Sequence, residues 1–488
     1  MTHNKPAIAV YTLGCKLNQL ESESIADAFS GENFPVVLPD TEPEETADSR
    51  FSIFILNTCT VTSKSEQKAR RIIRKVLRVP QKPVIIVTGC YAQMEKNALE
   101  ALDNGAEKRL FVIPGGQKNQ LLELPQYLSK SDDFSADALA SLINSFISSW
   151  AHPAELHTDA SFSFAPRGFT FHSRAFLKIQ DGCNNQCAYC RVHLARGKSR
   201  SLDSSKALAE LRALEQKGYA EVVLSGVNIS QYNASGGMNL SGLLEYLLCK
   251  TEKINIRLSS IEPDFADTDG DSDGNIDGNS DSYNDEFLKI VAHNRIRPHF
   301  HISLQSASAA VLRRMKRFYD PDEVLARIKC LRAAKDDPFL GCDIITGFPG
   351  ETNDDFEQTF DFCKKANFAG IHAFPFSRRP GTDAWNFKDR VSEKEAGRRA
   401  GMLIELAKTQ RQDYIGRWIG RETEAVLEES KTPGISPALT ANYLRLLIYH
   451  KNGRIPEPGR SLRCQIVKNT DKDNPIHARF DAVGEIIV

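Results

Sequence analysis

Short apolar runs recur along this chain, each followed by a stretch with helical spacing, and this alternation restricts the fold more than any other feature. From residue 7 to about 125 the runs are AIAVYTLG, FSIFILNT, PVIIVTG and RLFVIPG, with helical patterns at Leu17 to Phe29 and Ser63 to Leu77 between them. Strands separated by helices pair in parallel through crossover connections, and the helices then cover both faces of the sheet. Residues 5–127 are therefore expected to form a doubly wound parallel sheet. A second alternation runs through RAFLKIQ, EVVLSG, NIRLSSIE, FHISLQS, LGCDIITGFPG and GIHAFPFS. Six such units predict an open or partial (β/α) barrel over residues 169–416, with its chemistry at the strand C-termini. Residues 128–168, with one helical pattern at ADALASLINSFISSW, read as a linker. Beyond the charged helix from Val391 to about Gly416, TEAVLEE, YLRLLIYH and SLRCQIV predict a small β-barrel over residues 417–488.

With 488 residues and 41% hydrophobic content, the α/β chain can fill the cores of about three domains. It has no run of about 18 apolar residues, and MTHNKPAIAV lacks the apolar core of a signal peptide, so a cytoplasmic protein without a membrane partner is expected. The net charge of −1 conceals an asymmetry, because Asp264 to Glu286 holds nine acidic residues and no Lys or Arg. Without that segment the charge is +8, and basic clusters at Lys64 to Arg78 and Arg191 to Arg200 suggest a polyanionic partner. The acidic segment 264–286 reads as a disordered insertion. Within it, Asp269, Asp271, Asp273 and Gly274 mimic a calcium loop, but Ser280 stands where the bidentate Glu is needed.

Eleven cysteines in a reducing compartment point to metal binding or catalysis wherever they cluster. Cys249, Cys330, Cys342, Cys363 and Cys464 stand alone in apolar or amphipathic runs and read as buried small hydrophobes. QDGCNNQCAYC, residues 180–190, sets Cys183, Cys187 and Cys190 at Cys-x3-Cys-x2-Cys directly after a strand. Three thiolates can cap three irons of a 4Fe–4S cube and leave the fourth open to chelate a small molecule. Zinc sites pair two Cys-x2-Cys knuckles, and the second knuckle is missing. Cys15, Cys59 and Cys90 each follow a predicted parallel strand, after AVYTLG, FILNT and IIVTG. The carboxyl edge of such a sheet is where ligands bind, so these distant thiols can also converge.

The Cys-x3-Cys-x2-Cys spacing resembles that of the radical S-adenosylmethionine superfamily. The resemblance implies a cluster on Cys183, Cys187 and Cys190, with the cofactor chelating the open iron and yielding a 5′-deoxyadenosyl radical. It also implies cofactor contacts from SGVN (Ser225, Gly226), LQS (Gln305) and GFPGE (Gly347, Pro349). The second cysteine set extends the similarity over nearly the whole chain to the methylthiotransferase family, which implies a second 4Fe–4S cluster on Cys15, Cys59 and Cys90. TLGCKLNQLES, NTCTVT, GCYAQ, RLSSIEP and SRRPGT resemble the MtaB branch. That branch adds a methylthio group to carbon 2 of threonylcarbamoyl-adenosine next to the tRNA anticodon, and the terminal barrel would be an RNA-binding TRAM domain. The implied partners are the tRNA anticodon loop, an electron donor and a sulfur source. Removal of residues 417–488 should then weaken tRNA binding and leave cofactor cleavage intact.

Two departures from the family pattern lie near the first cluster: RVHLARG replaces an apolar run with Pro, placing His193 there, and Asn228 stands where a His ends the second strand. His193 reads as a loop histidine. The rival functions are the isopentenyl-adenosine and ribosomal-protein branches of the same family, or a non-catalytic iron–sulfur RNA-binding protein.

Overall fold

The computed structural model describes residues 5–39, 51–103, 105, 108–150, 160–166, 168–169, 174–264, 280–430, 432–450, 457–471 and 476–487. The chain forms two compact units: residues 1–171, 181–185 and 190–202, and residues 172–180, 186–189 and 203–488.

The first unit runs β1 (Ile8–Thr12), α1 (Lys16–Gly31), β2 (Val36–Val37), β3 (Ile53–Thr58), α2 (Ser63–Leu77), β4 (Val84–Gly89), α3 (Cys90–Met94) and β5 (Leu110–Val112). The strands are parallel in the order β2-β1-β3-β4-β5. β3 and β4 are buried along their whole length, in keeping with the apolar runs IFIL and VIIV that open them. Alternate residues feed two cores. Ile8, Ile55 and Ile86 pack with Ile25 and Phe29 on one side, and Phe54, Leu56, Ile85 and Val87 pack with Ile72 and Ile73 on the other.

α2 shows how local sequence makes its element. Thr62 caps its N-terminus by accepting from the Ser65 amide, Ala69, Ile72, Ile73 and Val76 form the buried stripe, and Arg74 and Lys75 sit in the last turn. Within the span read as a linker, helix Ala136–Ser148 puts Leu139, Ile143 and Phe146 into the same core as Ile8 and Ile86, together with Phe164.

In the second unit, strands Ala175–Lys178, Glu221–Ser225 and Asn255–Leu258 form one parallel sheet and His299–Gln305, Phe339–Thr346 and Gly370–Pro375 another. Parallel bridges at Ile256–Ile296 and Ile261–Ile302 join them, giving the open six-stranded βα arrangement expected. The calcium-like stretch from Asp269 to Gly274 lies outside the described residues. The helix Ser280–Val291 begins inside the segment 264–286 that was expected to be disordered, and its C-terminal half is held by the buried Phe287 and Val291.

The C-terminal barrel is closed by Glu422–Leu427, Ile435–Thr440, Arg445–Tyr449, Ser461–Val467 and Ala482–Ile486. The sequence hid the second and fifth strands, because Pro437 interrupts one and Gly484 weakens the other. Among the described residues no helix is long and apolar enough to cross a membrane.

Candidate functional site

Cys15, Cys59 and Cys90 follow β1, β3 and β4, which are neighbours in the sheet, so the three thiols meet at its carboxyl edge. Gly14 and Gly89 permit the approach. A Cβ on Gly14, at φ +109°, would lie 2.7 Å from Cys59 Cβ, and one on Gly89, at φ +99°, would lie 2.3 Å from the Thr58 carbonyl oxygen. Burial pushes the Cys59 thiol up to about 12, with the Cys15 and Cys90 thiols acting the same way, and Cys15, at the exposed edge of the site, is raised by desolvation and by Cys90. Arg196 acts in the opposite direction on both.

Arg196 belongs to the short helix Val192–Arg196, far along the chain yet part of the first unit. Its guanidinium donates to Glu21 Oε1 and Asp181 Oδ1, both at 3.0 Å, and to Asn18 Oδ1 at 2.8 Å. Burial opposes that charge, but Glu21, the Cys90 and Cys15 thiols and Asp181 outweigh it and raise the arginine above its ordinary value. A tight polar floor continues below. Lys118 donates to Glu21 Oε2 at 2.5 Å and to Asn57 Oδ1 at 3.1 Å, and Asn57 donates to the Asn18 carbonyl at 2.9 Å. Asn18 in turn donates to the carbonyls of Leu13 and Thr58, at 2.8 and 3.0 Å. The polar letters of TLGCKLNQLES and NTCTVT thus fix the loops that carry Cys15 and Cys59. Three thiols beside a buried cation suit a 4Fe–4S cube bound through three irons, since the cation offsets the negative charge that three thiolates bring.

Of the other cysteine motif, Cys183 and Cys190 belong to the first unit and Cys187 to the second. In the first unit, the Cys183 amide donates to the Gly197 carbonyl at 3.0 Å and the Val192 amide lies 3.4 Å from Cys190 Sγ. A Cβ on Gly182, at φ +74°, would sit 2.0 Å from the Lys198 carbonyl oxygen, so only glycine serves there. In the second unit, Cys187 is buried, and Arg317 Nη1 lies 3.8 Å from its Sγ. Arg317 also pairs with Glu262, and Glu262 Oε1 accepts from Asn228 Nδ2 at 3.0 Å. The Asn228 amide donates to Gln180 Oε1 at 2.9 Å. Asn228, a departure from the family pattern, thereby ties the second strand to Glu262 of RLSSIEP. His193, the other departure, lies on the helix Val192–Arg196 rather than in a loop.

Of the residues expected near the cofactor, Ser225 is a buried strand end and Gly226 leaves room for Gln180, whose Oε1 would meet a Cβ at 2.8 Å. Gln305 ends its strand at φ +62°, a strained backbone for a residue with a Cβ. Gly347, at φ +71°, donates its amide to Glu351 Oε2 at 2.7 Å, and Pro349 lies in the turn between them.

Two sequence readings change. Arg191 and Arg196 are not an open basic cluster. Arg191 pairs with Glu66 and Glu95 at 3.3 and 2.8 Å, and both arginines are buried among carboxylates. α2 does keep Lys64, Arg71, Arg74 and Arg78 exposed. Cys249 and Cys330 are exposed rather than buried, whereas Cys342, Cys363 and Cys464 are buried as read. Arg196, Lys118 and Arg317 were missed as site residues, since each reaches its site from a distant part of the chain.

Residues 177–363 match the radical SAM superfamily, and residues 7–110 match the uncharacterized protein family UPF0004. The threonylcarbamoyladenosine tRNA methylthiotransferase MtaB of Treponema pallidum is 39% identical, with 94% of this chain and 98% of that protein covered. MtaB of Aquifex aeolicus is 33% identical over 94% of this chain and 100% of its own length. A tRNA-2-methylthio-N(6)-dimethylallyladenosine synthase of Thermotoga petrophila is 30% identical, with 87% of both chains covered. Family members use two 4Fe–4S clusters and S-adenosylmethionine. On this evidence the chain belongs to the radical S-adenosylmethionine methylthiotransferases, in their MtaB branch.

Proposed function

We propose that the protein adds a methylthio group to carbon 2 of threonylcarbamoyl-adenosine next to the anticodon of tRNA. The observation that carries this is the meeting of Cys15, Cys59 and Cys90 beside Arg196, because a radical enzyme without a second metal site has nowhere to present sulfur. In this reading those three cysteines hold one 4Fe–4S cluster, and Cys183, Cys187 and Cys190 hold the other. Ser225, Gly226, Gln305, Gly347 and Pro349 line the S-adenosylmethionine position. When bound, the clusters supply the electron for reductive cofactor cleavage and the sulfur for transfer, chemistry that no side chain offers at an unactivated aromatic carbon. The chain's own residues orient and exclude water: Arg196 fixes the Cys15 loop through Asn18, and Arg317 fixes Glu262 beside Cys187.

The base must leave its stack to be modified, which an unpaired loop allows at lower cost than a duplex. The exposed basic residues of α2 and the C-terminal barrel would hold the phosphate backbone, and the reaction belongs to the cytoplasm. Support for the threonylcarbamoyl branch over the isopentenyl branch comes from the higher identity to MtaB proteins, 39% against 30%. Mass spectrometry of tRNA nucleosides from cells with and without the gene tests the reading. Loss of 2-methylthio-threonylcarbamoyl-adenosine is expected. Loss of the isopentenyl product instead, or of neither, would refute it.

A further inference from the structure

His301, Asp343 and His372 stand on the three adjacent strands of the second sheet in the βα unit and belong to neither cysteine site. Asp343 and His372 are direct register partners, and His301 lies opposite Gly341, two residues before Asp343. Side chains two apart share a face of the sheet, so the register brings all three to one face. His301 Nε2 lies 3.0 Å and His372 Nδ1 3.3 Å from the same oxygen, Asp343 Oδ1. All three ligand atoms fall within 4.8 Å of one another. Gly341 makes the arrangement possible, because a Cβ there would come within 2.9 Å of His301 Nδ1. Thiols play no part: Cys342 alternates to the opposite face, where it is buried against Cys363.

Adjacent ligands about an octahedral ion with bonds of about 2.1 Å are separated by roughly 3 Å, which is the separation of both Asp343 contacts. We propose that His301 Nε2, Asp343 Oδ1 and His372 Nδ1 bind one divalent first-row transition-metal ion. Two imidazoles and one carboxylate suit manganese, iron or zinc in the divalent state and discriminate against calcium and magnesium, which prefer oxygen donors throughout. Three protein ligands leave positions open, and they lie on the side of His372, whose side chain is 63% exposed against 14% for His301. An oxygen donor, water or a substrate group, fills them. The rigid sheet preorganises the site, since all three ligands come from paired strands rather than loops.

The test uses the full chain with both clusters reconstituted, dialysed without oxygen against Mn(II), with manganese and iron counted per chain by elemental analysis. Wild type should retain one more manganese per chain than His372→Ala, Asp343→Asn should match His372→Ala, and iron should be equal in all three. His372 is exposed on the last strand of its sheet, so its replacement leaves the fold intact, and the acidic segment contributes equally to every sample. Equal manganese in wild type and His372→Ala would overturn the inference, whether the ion binds elsewhere or nowhere.

Discussion

Arg196 reaches the thiols of Cys15, Cys59 and Cys90 from more than a hundred positions along the chain, and its fork is spent on Glu21, Asp181 and Asn18. Arg196→Gln would strand the buried Asp181 and leave Glu21 with Lys118 alone, and removing one partner of a buried ion pair costs about 3–5 kcal/mol. Denaturant unfolding should show that loss, and iron analysis should show one cluster missing with the other retained. Arg196→Lys keeps the charge but not the planar fork, so it should recover part of the stability and little of the geometry. Full iron content in Arg196→Gln would contradict the placement. Gly89→Ala tests the backbone at the same site. Its φ of +99° and the 2.3 Å approach to Thr58 predict a loss of about 2 kcal/mol or more, whereas Gly168→Ala, with nothing within 4 Å, should be nearly neutral.

At the scale of elements, α2 does two things with its two faces. Ile72 and Ile73 are fully buried, and Ile72→Ala should cost about 2–5 kcal/mol in unfolding experiments. Arg71 and Arg74 are exposed, so reversing both to Glu should leave stability within about 0.5 kcal/mol. The same double variant should weaken tRNA binding and flatten its dependence on salt, as measured by filter binding at several salt concentrations. Unchanged affinity would remove α2 from the RNA-binding surface. This helix was legible in the sequence, limits included, because its apolar stripe and its Thr62 cap are local signals. Strand Ile435–Thr440 was not, since Pro437 masks it and only its partners on both sides, Glu422–Leu427 and Arg445–Tyr449, make it a strand.

At the scale of the whole molecule, the C-terminal barrel shares its core with the βα strands and last helix of the second unit. Phe339 and Ala369 pack with Tyr414, Trp418, Leu446 and Ile466 in one cluster. Beneath them the buried Glu221 accepts from Arg257 Nε at 2.6 Å and Arg297 Nε at 2.9 Å, while Arg257 also donates to the Thr440 carbonyl and Arg297 pairs with Glu424. Truncation at residue 417 would therefore uncover this core, so a loss of stability is expected beside the loss of tRNA binding. Surface substitutions on the barrel are the sounder probe. Burial alone would raise the Glu221 carboxyl, but Arg257 and Arg297 hold it down at about 2. A depressed carboxylate stabilises the fold above its unfolded value of 4.5, and that contribution is lost as pH falls through about 2. Glu221→Gln should lower stability at neutral pH by about 3–5 kcal/mol and flatten the acid limb of the stability profile between those two values. An acid limb identical to wild type would count against the pairing.

Local patterns in the sequence determined the three-part α/β architecture, the Cys-x3-Cys-x2-Cys motif and the strand-end positions of Cys15, Cys59 and Cys90, because hydrophobic period and short-range spacing are properties of neighbouring residues. Which strands lie side by side is not such a property. Only the order β2-β1-β3-β4-β5 makes the ends of β1, β3 and β4 neighbours, and only that packing delivers Arg196 and Lys118 to them. The basic run at Arg191 to Arg200 marks the limit most clearly. Sequence supplies the positive charges, but Glu66, Glu95 and Glu21, which pair with Arg191 and Arg196, lie more than ninety residues away and meet them only in the folded chain.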